Sequence, residues 1–492
     1  MNWLKTENTA LIKLKNIPCL ACTDFRTAII EQYKRKRRVA GFFGVPEKKV
    51  YAVLADDTKG ELFIASADFK KEKEYQALTP DIPAFHMFER ELFEQTGIKP
   101  LGHPWLKPLR YERDHVNRKK QMKNYPFYTM PDEEVHEVAV GPVHAGIIEP
   151  GHFRFMCNGE KVYHLEIQLG YQHRGVENLF LCNDRFLPHL AESIAGDTVI
   201  GHTMVYTRAM EIMAGVRSTE KAELIRDILL EMERIAVHIG DLGAISNDIA
   251  YLLGNSVFGA TRTLIINMIQ DICGNRFGKG LIRVGGVLFD IKKNERDEIR
   301  KILQKVEKKV KDMCDIMFSS PSVLSRLEKT GIVNKETASR IGLTGMSARA
   351  SGISRDIRTD FPDAIYKKIP VKKVILNEGD VYARTYIRFL EILESMRFIN
   401  KALNKLNNDP VMKEVKYNLS RESMVISMAE GWRGEIIHIV LTDKNGKIKK
   451  YKIKDPSFNN WYGLALAERN NGISDFPLCN KSFNLSYCGN DL

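Results

Sequence analysis

The sequence lacks any apolar run of about 18 residues or more, so no segment reads as a membrane-spanning helix. Its first residues, MNWLKTENTALIKLKN, lack the long apolar core of a secretion signal. Cysteine is sparse: eight residues are scattered through 492 with no spacing that suggests a disulfide framework. That usage fits a reducing, cytoplasmic setting. Zinc-finger spacing and aromatic-interleaved RNA motifs are missing too, which argues against a nucleic-acid partner. Internal repeats and low-complexity tracts are absent, so solenoids and disordered tails are not expected.

What is present is the composition of a globular protein long enough for two or more domains. Hydrophobic residues make up 44% and charged residues 28%. The net charge is +12, from 74 basic and 62 acidic residues. The basic runs at 34–38 (KRKRR), 118–120 (RKK) and 447–450 (KIKK) are short and lie in different regions, so they read as solvated faces. A basic surface of this kind suits an acidic partner protein or anionic lipid.

Residues 1–110 read as a small α/β unit. Strands are expected at 50–54 and 61–65, and a helix at 84–95 that starts after Pro80 and Pro83 and ends before Gly97. Residues 112–134 are charged, hold two prolines and show no period, which is a linker composition. The expected division is a first domain at 1–115, a linker at 116–135 and a second domain at 136–492. From 185 to 272 helical spacing dominates; 218–246 carries Leu224, Ile228, Leu229, Met232, Ile235, Ala236 and Ile239 at a period near 3.6. Helices are also expected at 294–318 and 380–406. Residues 435–453 switch to alternation and read as a hairpin turning at Asn445-Gly446. The fold class is therefore α+β: a small α/β unit followed by a mostly helical unit with small β elements.

Two stretches add chemistry. Residues 88–110, FERELFEQTGIKPLGHPWLKPLR, resemble the signature of the small hydrophilic (30-kDa) subunit of respiratory complex I. Farther on come Gly141-Pro142-Val143-His144, Glu149-Pro150 and Gly170 to Glu177 (GYQHRGVE). They are followed by Gly285-Gly286-Val287, Arg349-Ala350-Ser351-Gly352-Ile353 with Asp356 and Arg358, Gly379 to Arg384 (GDVYAR), and Trp432-Arg433-Gly434-Glu435. In this order they resemble the large subunit of group 4 nickel–iron hydrogenases and the 49-kDa subunit of complex I. Each motif is weak alone; several in order, with both subunit types fused, are specific.

The resemblance implies an oxidoreductase subunit of an ion-translocating electron-transport complex, NADH-dehydrogenase-like or hydrogenase-like, with NAD and quinone as ligands of such complexes. It implies an iron–sulfur partner resembling a hydrogenase small subunit and membrane-arm subunits. The implied location is peripheral, on the cytoplasmic face of the membrane. The sequence departs from the hydrogenase pattern at the metal ligands. Two Cys-x-x-Cys pairs bind nickel there, because thiolate is the ligand type such a site needs. Here the matching positions hold Ala195, Thr198, Ser486 and Gly489. Cys488 is one residue off, and Cys479 is nine residues before it, too far for a clamp. No nickel–iron centre or other cofactor is expected in this chain; iron–sulfur clusters are expected in the partner, and a quinone-like molecule is the expected ligand. The complex I pattern is not met either, since its tyrosine has no counterpart in 194–199 and its second loop histidine is missing near 145–149.

The resemblance makes Glu149, Asp197 and Arg433 the candidate catalytic residues. Glu149 is either a proton-passing carboxylate or an exposed loop carboxylate. Arg433 is read as a cavity residue in preference to a salt-bridged core arginine. His144, Ala195, Thr198, Ser486 and Cys488 are expected to line the former metal pocket. There His144 is a hydrogen-bonding partner for a quinone-like oxygen or a structural loop histidine. The pocket is expected to be wet and polar, with Arg433 close to Glu149 or Asp197. Arg174 and Glu177 read as a structural pair. Cys157, Cys182, Cys273 and Cys314 read as core thiols. Two function classes follow: a catalytic subunit with redox chemistry near the empty cavity, or a non-catalytic coupling subunit that transmits conformational change.

Overall fold

The computed structural model describes residues 2–112, 122–144, 146, 148–181 and 184–492. Its N-terminal unit is built on a sheet in the order Leu4–Thr6, Glu61–Asp68, Lys49–Asp56, Arg38–Gly44, all antiparallel. Cys19–Leu20 adds in parallel to Glu61–Asp68. The central strands are buried on both faces, so they read as near-continuous apolar runs and lack alternation. One face packs Phe42, Leu54 and Phe63 under the helices Cys22–Lys34 and His86–Thr96, whose Phe25, Ile29, Phe88 and Leu92 complete that core. The second helix stops where expected: Gly97 has φ +73° and donates its N–H to Phe93 O.

The other face is covered by a second sheet from the far end of the chain. This sheet runs Ile448–Lys454, Glu435–Thr442, Ser423–Glu430, Leu11–Lys13, with Ile12 opposite Met424. Val53, Ile64, Met424, Ile426, Ile437 and Ile439 form one core between the sheets. The N-terminal segment thus completes the C-terminal sheet. The expected hairpin is present, and Gly446 at its turn has φ +81°. Ser423–Glu430 was not expected, because a strand with all eight residues buried carries no alternation.

The rest is mixed but mainly helical. Glu220–Asp248, Leu252–Cys273, Lys293–Met317 and Val381–Leu403 form a bundle around Ile228, Leu229, Ile235, Ile265, Leu303 and Ile392. Thr219 and Asp380 cap two of these helices by accepting from Ala222 N and Ala383 N. A three-stranded meander, His136–Val140, His152–Asn158 and Lys161–Gln168, precedes them and was not anticipated. Part of the expected linker, 113–121, lies outside the described residues. The described part is not a free tether: Tyr125 is buried, and Tyr128 N donates to Glu166. Cys157, Cys273 and Cys314 are buried as expected, and Cys182 lies outside the described residues. Among the described residues, no helix is long and apolar enough to cross a membrane.

Candidate functional site

A buried ionic lattice fixes the loop that carries Arg433. Arg349 pairs with Glu391 at 2.5 Å and Glu430 at 2.6 Å, and Glu391 accepts from His238 at 2.9 Å. Arg234 donates to the carbonyls of Glu430 and Gly431 at 2.7 and 3.0 Å. These charges are almost fully buried, so each must be paired. The next turn is pinned by backbone proximity. Gly345 has φ +68°, and a Cβ there would lie 2.0 Å from Arg433 O; Gly434 has φ +142°. Two glycines therefore let the chains cross directly beneath Arg433.

Arg433 is only 4% exposed. Its terminal nitrogens donate to the two carboxylate oxygens of Asp197 at 2.7 and 2.6 Å, and one also donates to Thr198 Oγ1 at 3.1 Å. Its Nε donates to Asn484 O. The guanidinium lies over the Trp432 ring at 3.9 Å, and Trp432 Nε1 donates to Asp197 O at 2.9 Å. Burial works against the Arg433 charge, but the nearby Asp197 carboxylate outweighs it, with help from Asp455 and Asp241, and its pKa is raised. Of the two carboxylates expected beside Arg433, Asp197 is the one found. The arrangement is an ion pair with a buried arginine and a half-exposed aspartate; the cavity lined by Arg90, Trp105 and Trp461 lies elsewhere.

Ala195 is fully buried behind this pair, and Thr198 precedes the helix Val199–Met213. Ser486 is buried and caps the short C-terminal helix, accepting from Gly489 N at 2.9 Å. Gly489 packs so tightly that an added Cβ would sit 2.7 Å from the Asp455 carboxyl group. Cys488 is half-buried, 3.5 Å from Ser486 Oγ. Burial, then the adjacent Glu149 carboxylate, pushes its thiol up to about 11. So Glu149 belongs to Cys488 and not to Arg433. His144 Nε2 lies 2.8 Å from Gly151 O, and its ring packs on Phe153, a neighbour of Tyr487. Glu149 is thereby brought to Cys488, as Asp197 is to Arg433.

One expectation is corrected. Arg174 does not pair with Glu177. It donates to the carbonyls of Ser193, Ile194 and Cys488, tying two of the site's loops together. Glu177 instead binds Lys452 Nζ at 2.9 Å and accepts from Ile453 N. Cys479 and Cys488 face different surroundings: Cys479 lies by Glu468, Arg384 and Gly331.

Several groups beside the seam escape a reading of the sequence. Asp455 Oδ2 lies 3.1 Å from His202 Nε2, His202 Nδ1 lies 3.1 Å from His438 Nε2, and His438 Nδ1 lies 2.8 Å from Tyr451 OH. One hydrogen arrangement satisfies the whole line: Tyr451 donates to His438, His438 to His202, and His202 to the Asp455 carboxylate. Burial, followed by His202, holds the His438 imidazole neutral. The last of these groups is Glu233, which accepts from Ile200 N and Gly201 N at 2.7 and 3.2 Å. Burial, with a lesser contribution from Asp197, pushes its carboxyl up to about 8. Its signal was present in the sequence: a carboxylate four residues after Leu229 and three before Ala236, on the apolar face. Among the described residues, no group of three or more His, Cys, Asp or Glu side chains is placed to hold a metal ion.

The profile of the family described as respiratory-chain NADH dehydrogenase, 49 Kd subunit, matches residues 248–428. Formate hydrogenlyase subunit 5 of Escherichia coli is 28% identical over 487 residues, covering 93% of this chain and 85% of that protein. The C/D subunit of the NADH-quinone oxidoreductase of Bacteroides fragilis is 26% identical, covering 73% of this chain and 75% of that protein. These matches support the superfamily of the complex I 49-kDa subunit and the related hydrogenase large subunits, with the smaller unit fused to it. The membrane-bound hydrogenase subunit alpha of Pyrococcus furiosus is 28% identical over 69% of this chain and 83% of that protein. The fold is shared with a chain of an archaeal membrane-bound sulfane sulfur reductase, at TM-score 0.69 and 22% identity, over 74% of this chain and all of that one. The relatives are oxidoreductase subunits of complex I and hydrogenase-like membrane complexes.

Proposed function

We propose that this chain is the large subunit of a membrane-associated, ion-translocating oxidoreductase complex that operates without a nickel–iron centre. Electrons arrive from iron–sulfur clusters in a partner subunit and pass to a quinone-like or other small acceptor near the Arg433 seam. The partner sits, with membrane-arm subunits, at the cytoplasmic face of the membrane.

The carrying observation is the chemistry at the four former ligand positions. Ala195 offers a methyl group. The Thr198 and Ser486 hydroxyls are bonded to Arg433 and to Gly489 N. Gly489 has no room for any side chain. This set does not fit a soft, thiolate-requiring metal pair. The space is held instead by an ion pair between side chains of two loops. Cys488, two residues after Ser486, is half-buried, as are Glu149 and His144. A thiol and a carboxylate in contact there can hold and pass protons during reduction of an acceptor.

The coupling reading has its own support: Arg433 is saturated by Asp197, Thr198 and Asn484, which leaves few free donors for an acceptor. A subunit of that kind would transmit movement without touching an electron acceptor.

Elemental analysis and a dihydrogen assay on the purified complex with its partners test the metal-free reading. The expected result is no stoichiometric nickel and neither evolution nor consumption of dihydrogen. Near-stoichiometric nickel would overturn it.

A further inference from the structure

A cavity of about 450 Å³ lies away from the Arg433 seam. It opens where the N-terminal unit meets the helical unit. The signature stretch at 88–110 supplies one wall, with Arg90, Trp105 and Leu109. The strand Lys161–Gln168 and the helix Ser457–Ala467 supply the others, with His164, Trp461 and Tyr462. Its size and its apolar, aromatic lining are those of a small-molecule site.

Its polar groups do not cancel. Arg90 is 8% exposed, yet its hydrogen bonds go to the carbonyls of Lys107 and Pro108 at 2.8 and 2.6 Å and to Met87 Sδ at 3.4 Å. The Tyr125 hydroxyl adds a neutral contact. Among the described residues no carboxylate forms an ion pair with Arg90, whereas Arg234 and Arg349 of the buried lattice each have one. Glu166, the carboxylate on the same wall, is occupied by Lys107 Nζ at 2.6 Å and Tyr128 N at 2.6 Å. A buried guanidinium facing only neutral groups is costly unless an anion completes it.

Other groups around the cavity register that charge. Burial, then Arg90 and His103, hold the His86 imidazole far below its ordinary range. Burial, then Arg469, lowers His164. Both rings stay neutral, and His164 Nε2 has no hydrogen-bond partner. The cavity thus has cationic walls from Arg90 and Arg469, one carboxylate already paired with Lys107, and a free imidazole nitrogen.

We propose that this cavity binds a planar aromatic anion, its ring against the Trp105, Trp461 and Tyr462 side chains and its carboxylate, phosphate or sulfonate group on Arg90. Aromatic side chains accept a flat ring by offset or edge packing, and a guanidinium holds an oxyanion by charge-assisted hydrogen bonds. Ligand occupancy would link the two units, because each supplies part of the wall. This site is separate from the Arg433 seam, so its fate does not depend on the redox reading above.

The test titrates the purified full chain with anilinonaphthalene sulfonate, an aromatic sulfonate that fluoresces when bound, and with its uncharged phenylnaphthylamine analogue. One saturable site for the sulfonate is expected, with the uncharged analogue bound roughly ten-fold more weakly or worse. Arg90→Gln should weaken the sulfonate by about ten-fold with an unchanged circular dichroism spectrum. Ala465→Trp, which places an indole in the cavity from a buried position on its helix wall, should abolish binding. Sulfonate binding that survives Ala465→Trp, or is unchanged in folded Arg90→Gln, overturns the proposal. So does equal affinity of the native chain for the charged and uncharged probes, a comparison that decides the matter even if both variants unfold.

Discussion

Arg433 and Asp197 form a two-point pair in which each terminal nitrogen of the guanidinium meets its own carboxylate oxygen, at 2.7 and 2.6 Å. The two partners differ in exposure: the arginine side chain is 4% exposed and the aspartate side chain 41%. The pair is thus a lid with a dry inner half and a wet outer half. Its geometric specificity comes from the planar guanidinium, which lysine cannot reproduce.

Arg433→Ala follows from that asymmetry. Removing one partner of a fully buried pair costs roughly 3–5 kcal/mol. Asp197 reaches water and can rehydrate, so the loss should be nearer about 1–2 kcal/mol. Assembly should survive while coupled electron transfer is lost. Native gels with partner subunits and acceptor reduction by the purified complex check both halves. Full activity in the assembled variant would remove Arg433 from the mechanism.

Gly489→Ala probes the opposite property, the lack of space. The new methyl group would lie 2.7 Å from the Asp455 carboxyl group and 2.8 Å from Ser486 Oγ. Overpacking of this kind costs about 1–3 kcal/mol. It would also push Asp455 against His202, so the thermal midpoint should fall by several degrees relative to a surface control such as Lys308→Ala. An unchanged midpoint would mean that the C-terminal helix shifts freely, and that a thiolate could be housed there.

Much of this architecture was legible in the sequence because local signals agreed with the final packing. The helices Glu220–Asp248 and Val381–Leu403 carry both an apolar period and an N-cap residue, and both lie within two or three residues of expectation. Ser423–Glu430 could not be read, because burial on both faces erases the alternation that marks a strand. The pairing of Leu11–Lys13 with that strand depends on contacts 410 or so residues apart, which no local pattern encodes. At the site, motif order named the candidate residues, yet partner choice was decided by three-dimensional reach. Glu149 went to Cys488, Asp197 to Arg433, and Glu177 to Lys452 rather than Arg174. The line from Asp455 to Tyr451 joins residues from Val199–Met213 and two neighbouring strands, and only the folded chain brings them together.

Glu233 should make stability depend on pH in a defined direction. Burial raises its carboxyl to about 8 in the folded protein, against 4.5 for the ordinary group, although Ile200 N and Gly201 N act the other way. Below pH 4.5 both states hold the proton, and the full contribution is present. Between 4.5 and about 8 the unfolded chain releases the proton while the folded chain keeps it, so stability falls as pH rises. Above about 8 both are ionised and the slope ends. The total change is on the order of a few kcal/mol. Glu233→Gln keeps the size and one acceptor oxygen but removes the titration. Chemical denaturation of the two proteins at pH 5, 6.5 and 8 measures the difference between their slopes. The native chain should lose stability over this range faster than the variant. Parallel curves would show that Glu233 is ionised at neutral pH, held as a carboxylate by the two N–H groups at the start of Val199–Met213.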